Sequence, residues 1–212
     1  MISETKLILF LAATVAMILT PGPAVLYIVA RGFSQGAKSA LVSVAGIGLG
    51  NLSHAVAAAL GLSALFASSP VAYAVLRYLG AGYLVYLGVR KLLTKPAPRE
   101  DPSFRREKAG EVFRQGMMVG LLNPKIALFF LAFLPQFTTP GTSPMWLQLL
   151  VLGVAFVAMG FAGDACFALL SGSLGGWMQR HPRFGEVERW VSGVIFCALG
   201  VVVFFGSAAP RI

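Results

Sequence analysis

Charged residues are scarce in this sequence. Only 12% of its 212 residues are Asp, Glu, Lys or Arg, whereas 57% are hydrophobic and the mean hydropathy is +0.79. A soluble domain carries about 25% charged residues, so this composition excludes an ordinary soluble protein. The 24 glycines and 12 prolines lie within apolar runs, and membrane helices tolerate both residue types. The sequence therefore predicts an all-α polytopic membrane protein.

Residues that catalyse reactions or hold cofactors are also few. Cys166 and Cys197 lie far apart in apolar segments and form no CxxC pair, so the sequence predicts neither a redox centre nor a metal site. The chain has no GxxxxGK[ST] motif, which excludes ATP hydrolysis at a P-loop. It also lacks a nucleophile–base pairing. We therefore expect no enzyme, no metal and no cofactor, and any pumping must use an ion gradient or a partner.

Six apolar segments are long enough to span a bilayer, which takes about 20 residues. They are approximately 7–30, 40–67, 70–93, 113–135, 146–174 and 188–208. The longest polar stretch, about 94–112, separates the third segment from the fourth. No soluble domain fits elsewhere, so we expect residues 1–212 to form a single transmembrane domain.

Basic residues are distributed unequally between the two sides that six spans define. Thirteen lie in or beside the 1–2, 3–4 and 5–6 connections, whereas Lys6 and Arg211 lie on the other side, with Arg77 some way into the third span. The positive-inside rule then places loop 94–112 in the cytoplasm and both termini outside. The net charge of +9 is explained by this asymmetry, so we expect no nucleic-acid partner.

The two halves of the sequence resemble each other. RYLGAGYLVYLGV at 77–89 aligns with RWVSGVIFCALGV at 189–201, an offset of 112 residues, and Gly50–Asn51 aligns with Gly163–Asp164 at an offset of 113. Because each copy has three spans, an odd number, the second copy must be inverted. We predict two inverted three-helix repeats, about 7–93 and 113–208.

Each repeat has a proline-containing break in its first span. Pro21 and Pro23 cannot donate to the carbonyls of Met17 and Leu19, and Pro124 frees the carbonyl of Gly120. Thr20 can cap a freed backbone group. Matched helix breaks in inverted repeats indicate a binding site near the membrane midplane.

Lys125 and Asp164 are the charged residues that need a partner inside the membrane. A lysine at mid-bilayer costs about 2.5–3.5 kcal/mol, and Lys125 directly follows the second break. We predict that it pairs with Asp164, either as a buried link between helices or across a polar site. In such a site Lys125 receives a carboxylate, and Asp164 receives an ammonium group or a proton. His54, one turn from Asn51, could relay protons or make an interhelical hydrogen bond.

Glycine pairs at four-residue spacing predict close helix packing. They are Gly46 and Gly50, Gly116 and Gly120, and Gly172 and Gly176.

The segments LTPGPAVLYI, GIGLGNLSHAVAAALGLSAL, YLGAGYLVYLGVRKL and GLLNPKIALFFLAFLPQF resemble the LysE/RhtB family of small bacterial amino-acid exporters. The resemblance implies export from the bacterial inner membrane, driven by the proton gradient. It also implies a substrate site that includes the motif residues Thr20, Pro21, Gly22, Pro23, Asn123, Pro124 and Lys125. The expected partners are an amino acid, the proton and the lipid bilayer, and a homo-oligomer is left open.

Asn51 departs from the family pattern, because many relatives carry an aspartate there. Asp164 is then the sole carboxylate well inside a span, which favours neutral substrates such as homoserine, threonine or leucine over basic ones. Export of basic amino acids, or of an inorganic or metal ion, is the alternative, and the absence of soft ligands disfavours a metal.

Overall fold

The computed structural model describes residues 3–64, 69–94, 107–139, 141–180 and 184–205, and these residues contain helices and no strand. The predicted all-α class is confirmed. The α-helices in this part of the chain are α1 Glu4–Leu19, α2 Pro23–Gln35, α3 Ala37–Ala57, α4 Pro70–Leu93, α5 Ala109–Leu121, α6 Pro124–Leu128, α7 Met145–Arg180 and α8 Phe184–Phe205. Helix α3 continues as a π-helical turn, and α6 continues as π and 3₁₀ turns to Phe137. Most of the predicted loop, residues 95–106, lies outside the described residues.

Two of the described helical segments, Ala37–Leu62 and Met145–Ser171, are long and apolar enough to cross a membrane. Two bent pairs also qualify if each counts as one span: α1 with α2, and α5 with the helix from Pro124 to Phe137. The described residues therefore provide two to four candidate spans. Helices α4 and α8 occupy the third and sixth predicted segments, and the full count of six stays a prediction.

Both predicted helix breaks are confirmed. The chain bends by 47° between α1 and α2 and by 42° between the two helices of the second pair. Thr20 and Asn123 each precede a proline and adopt extended backbone, because the proline ring disfavours the helical region for the residue before it. Pro23 and Pro124 each begin the next helix, where a missing N–H costs nothing.

Pro124 was expected to free the Gly120 carbonyl, and the N–H of a neighbouring residue takes the place of the donor that the proline lacks. The backbone N–H of Asn123 donates to that carbonyl at 3.1 Å. A tightened last turn satisfies the carbonyl, as it often does at helix ends.

Helices α3 and α5 approach closely through the predicted glycine pairs. A Cβ atom on Gly46 would lie 2.1 Å from the carbonyl oxygen of Phe113, and one on Gly116 would lie 2.4 Å from that of Ser43. Each glycine thus faces the partner's backbone, which confirms the predicted packing role. The side chains around Gly172 and Gly176 lie outside the described part of the structure.

Helices α4 and α8 make a second close, antiparallel contact. A Cβ atom on Gly88 would lie 2.7 Å from the Gly193 carbonyl oxygen, and one on Gly200 would lie 2.8 Å from the Ala81 carbonyl oxygen. The Cys197 thiol also lies 3.9 Å from the Val85 carbonyl oxygen, 112 residues away in sequence. This separation equals the offset at which residues 77–89 align with 189–201.

Candidate functional site

Lys125 joins the two helix breaks. The residue is only 7% exposed, and its Nζ donates to the carbonyl oxygens of Met17 and Thr20 at 2.6 Å each. Pro21 cannot supply the N–H that would normally reach the Met17 carbonyl. The lysine therefore provides the donor that the first break lacks, and the break provides acceptors for a buried cation.

The local sequence explains why Lys125 sits at this position. The Asn123 side chain caps α6 by accepting a hydrogen bond from the Lys125 backbone N–H at 3.1 Å, and Pro124 is the first residue of that helix. Across the junction, a Cβ atom on Gly22 would lie 3.3 Å from Lys125 Cδ and 3.7 Å from its Nζ. Glycine at position 22 thus lets the lysine stem lie against the start of α2.

Thr20 does not cap the carbonyl that Pro21 frees. Its hydroxyl donates to the Ala16 carbonyl at 2.7 Å, which also accepts from the Thr20 backbone N–H at 3.1 Å. Thr20 is fully buried, so its hydroxyl is satisfied within its own helix, while its carbonyl faces Lys125. The expectation that the threonine hydroxyl caps a freed group is corrected, because the lysine takes that role.

Asp164 lies on α7, partly buried. A Cβ atom on its neighbour Gly163 would lie 2.4 Å from Ile18 Cγ2, which brings this part of α7 against α1 beside Met17. Asp164 is therefore near the level of the first break. Both Lys125 hydrogen bonds given above end on backbone carbonyls, and the direct pair with Asp164 stays a prediction.

Asn51 and His54 lie on α3 at the level of the second break. A Cβ atom on Gly50, next to Asn51, would lie 2.6 Å from the backbone N of Leu121. Asn51 Oδ1 and His54 Nε2 are buried, and neither has a hydrogen-bond partner among the described residues. The His54 ring instead stacks on Phe130 with centroids 6.4 Å apart. The interhelical hydrogen bond considered for His54 is therefore not made by its Nε2 in this part of the structure.

Arg31 is a second buried cation, and it is one of the thirteen basic residues that the sequence analysis used only to predict topology. Its side chain is 0% exposed and its Nη1 lies 3.6 Å from Glu107 Oε1. Its Nη2 donates to the Tyr27 hydroxyl at 2.8 Å and to Gln115 Oε1, while Gln115 Nε2 donates to Glu107 Oε2 at 2.6 Å. We call these four residues the Arg31 cluster. It ties the end of α2 to the start of α5, beside the loop predicted to be cytoplasmic.

An aromatic cluster lies at the end of the two bent pairs that is farther from the Arg31 cluster. Its members are Phe10, Phe129, Phe130, Phe133, Phe137 and Phe156, all buried. Phe10 on α1 meets Phe137 edge to face, with centroids 5.5 Å apart, and the Lys6 ammonium donates to the Thr138 carbonyl. The start of α1 is thus fastened to the end of the second bent pair. Lys125 lies between this cluster and the Arg31 cluster along both bent pairs.

Comparison with known proteins decides the family. The profile of the LysE type translocators matches residues 15–207. The chain belongs to the LysE family. Family members similar to it include the homoserine/homoserine lactone efflux protein of Salmonella typhimurium, 27% identical over 92% of this chain and 93% of that protein. The leucine efflux protein of Klebsiella pneumoniae is 30% identical over 88% of this chain and 89% of that protein.

A membrane protein of Vibrio cholerae is 28% identical over 94% of this chain and 96% of its own length. No solved structure matches the chain. Together with the apolar helices, these relatives make this LysE family member a multi-pass membrane protein and a transporter. The family membership that the motifs around Pro21 and Pro124 predicted is confirmed.

Proposed function

We propose that the protein exports neutral amino acids or their derivatives across the bacterial inner membrane, driven by the proton gradient. The observation that carries this proposal is the buried Lys125 ammonium at the junction of two helix breaks. A buried cation beside interrupted helices is typical of a site for an anionic substrate group. Relatives named for homoserine and leucine efflux indicate amino acids as the substrate class.

The substrate carboxylate would bind between Lys125 and the start of α2. The lysine stem lies against Gly22, the N-cap of this 13-residue helix. The N-terminus of a helix carries partial positive charge and N–H groups without intrahelical acceptors. The lysine and the helix therefore favour the same anionic group. Asp164 is the proposed proton carrier, with His54 as a second candidate.

We also propose that the chain forms six spans arranged as two inverted repeats. The α4–α8 contact supports this arrangement. Gly88 faces Gly193, and Gly200 faces Ala81. At the offset of 112, Gly88 corresponds to Gly200 and Ala81 to Gly193, so the repeat converts one contact into the other.

Contacts between the other spans support the same arrangement. A Cβ atom on Gly50 would lie 3.0 Å from the carbonyl carbon of Gly120, and one on Gly163 would lie 2.4 Å from Ile18 Cγ2. Gly163 follows Gly50 by 113 residues, and Gly120 follows Ile18 by 102. The offset of 113 is the one at which Gly50–Asn51 aligns with Gly163–Asp164, and 102 lies between the separations of Pro124 from Pro23 and from Pro21, which are 101 and 103 residues. The two interfaces are therefore equivalent under the proposed repeat.

The proposed orientation puts loop 94–112 in the cytoplasm and both termini outside. The thirteen basic residues near the three connections on that side support it through the positive-inside rule. The helix contacts fit six spans that cross the membrane in alternating directions. Spans two and four should then be parallel, as α3 and α5 are, and spans three and six should be antiparallel, as α4 and α8 are.

Basic amino acids and metal ions fit the site less well. Asn51 replaces a carboxylate at the level of the second break, which leaves Asp164 to balance a dibasic substrate alone. Among the described residues, no group of three or more His, Cys, Asp or Glu could hold a metal ion. A neutral zwitterion adds no net charge to the site, so it needs no carboxylate besides Asp164.

Export assays on charge-removing variants test the proposal. We expect Lys125→Met and Asp164→Asn to reduce export of L-leucine or L-homoserine at least tenfold. Lys38→Met and Glu186→Gln, which remove exposed charges of the same signs, should export like the wild type. The proposal is wrong if Lys125→Met reaches the membrane in normal amounts and still exports at the wild-type rate. If the charge-removing variants lose export as expected, a toxicity screen against amino acids and their analogues would identify the substrate.

A further inference from the structure

The first helix break already binds an ammonium group, and that group belongs to the protein itself. The carbonyl oxygens of Met17 and Thr20 each accept a hydrogen bond of 2.6 Å from Lys125 Nζ. An ammonium group has three N–H donors and no acceptor, so these two carbonyls satisfy most of its hydrogen-bonding capacity. Two backbone oxygens aimed at one point form a receptor for any primary ammonium.

The break creates this receptor through Pro21. The proline removes the N–H that would occupy the Met17 carbonyl and holds Thr20 in extended backbone, with φ −82° and ψ 105°. Helix α1 therefore ends with a free acceptor at Met17, and the Thr20 carbonyl turns toward the same donor. Backbone carbonyls of unwound helices bind cations in other transporters.

We propose that the carbonyl pair of Met17 and Thr20 is the binding site for the substrate's α-ammonium group, and that Lys125 occupies it when no substrate is bound. This inference rests on the proposed function, in which the substrate carboxylate binds Lys125. The carboxylate draws Lys125 Nζ toward the start of α2, and the α-ammonium takes the two carbonyls that the lysine leaves. Asp164 is then available for the proton rather than for the ammonium.

The exchange keeps the buried charge constant. A zwitterion adds one positive and one negative group, so the carbonyls stay bonded to a cation and Lys125 gains an anion. An unpaired polar group in hydrocarbon costs several kcal/mol, and this exchange leaves neither the carbonyls nor the lysine unpaired. The matching 2-hydroxy acid has one O–H donor and no positive charge, so it would leave one of the two carbonyls without a donor. The site therefore selects α-amino acids over the matching hydroxy acids.

Melting temperatures of a purified variant test the carbonyl pair directly. Lys125→Ala removes the resident ammonium, so methylammonium should raise the melting temperature of this variant by about 2–4 °C in a saturable way. It should not do so for the wild type, whose lysine fills the site. Tetramethylammonium, which has no N–H donor, is the matched control. Equal responses to the two ions, or a response to Na⁺ alone, would overturn the inference.

A double variant provides the second test. Pro21→Ala supplies an N–H and lets Thr20 become helical, so that α1 can continue and occupy the Met17 carbonyl. Adding it to Lys125→Ala should abolish the methylammonium shift, whereas Pro144→Ala, an exposed proline before α7, should leave the shift intact. A shift that survives Pro21→Ala would contradict the assignment.

Export by the wild type separates this inference from the proposed function. In the wild type, L-leucine should compete for export at least tenfold better than its 2-hydroxy analogue. If L-leucine is exported in a Lys125-dependent way and the hydroxy acid competes equally well, the carbonyl site is wrong while the proposed function stands. If Lys125→Met exports normally, the proposed function itself fails.

Discussion

Replacing Gly50 with alanine should separate two helices that position the site. Gly50 lies on α3 where it meets the end of α5, immediately before the second break. A Cβ atom there would lie 2.4 Å from the Met117 carbonyl oxygen, 2.6 Å from the Leu121 nitrogen and 3.0 Å from the Gly120 carbonyl carbon. All three neighbours are backbone atoms, so no side-chain rotation can relieve the clash.

The size of the effect follows from these distances. Ordinary van der Waals contact begins near 3.4 Å, so α3 and α5 must move apart by roughly 1 Å. Overpacking of this kind typically costs about 1–3 kcal/mol. Because α5 leads directly into Asn123 and Lys125, the same movement draws Lys125 away from the carbonyls of Met17 and Thr20. We therefore expect Gly50→Ala to lose both stability and export.

Thermal unfolding of the purified protein and export from cells measure the two losses. For a chain of this length, about 1 kcal/mol corresponds to a melting-temperature change of about 2–4 °C. Gly82→Ala is the matched control, because a Cβ atom at Gly82 on α4 would meet nothing within 4 Å. Equal melting temperatures and equal export for Gly50→Ala and Gly82→Ala would show that α3 and α5 tolerate a side chain at position 50.

Three further predictions concern other parts of the molecule. Glu107→Gln removes the carboxylate of the Arg31 cluster and should destabilise the protein by about 1–3 kcal/mol in thermal unfolding, whereas Glu186→Gln should not. Gln148→Leu should cost a similar amount, because Gln148 binds the Thr139 backbone N–H at 2.8 Å and the Thr139 and Ser143 carbonyls at 2.9 Å each; unchanged melting would refute its role. Ser103→Cys, in a variant without Cys166 and Cys197, should react with a membrane-impermeant thiol reagent only from the cytoplasmic side, and labelling of intact cells would reverse the proposed orientation.

Features that depend on local sequence were predicted correctly. The two breaks follow from the missing N–H of proline and its effect on the preceding residue, whatever the rest of the chain does. The glycine pairs of α3 and α5 follow from spacing, because residues four apart share one helix face. Both features depend on only a few neighbouring residues, so they could be predicted without knowledge of the tertiary contacts.

The backbone acceptors of Lys125 were harder to predict, because a sequence shows side-chain charges and does not show which carbonyls are accessible. Asp164 is the conspicuous counter-charge in the sequence, and its pairing with Lys125 stays a prediction. The structure gives Lys125 the carbonyls of Met17 and Thr20. Both halves of this answer were present in the sequence, since Pro21 was expected to free the Met17 carbonyl and Lys125 was expected to need a partner. The sequence did not show that the two breaks lie close enough in space for Lys125 to reach these carbonyls.

Arg31 was missed for a different reason. It lies near the end of an apolar segment, where arginines commonly set topology. Its burial depends on Gln115 and Glu107, which are 84 and 76 positions away in sequence. One local sign was available: Tyr27, one turn earlier on the same helix face, offers a hydroxyl at a spacing of four.

The two breaks match in backbone but differ in charge, and this difference matters for the proposed site. The first break, residues 20–23, contains no charged residue, whereas Lys125 lies at the second break. The pseudo-symmetric pair therefore carries one cation rather than two. A symmetric site would bind a zwitterion equally well in either direction. In the proposed site, the second break contributes the Lys125 ammonium for the substrate carboxylate, and the first contributes the carbonyls of Met17 and Thr20 for the substrate's own ammonium. The substrate would then bind in one orientation, and the residues facing its side chain would select among neutral amino acids.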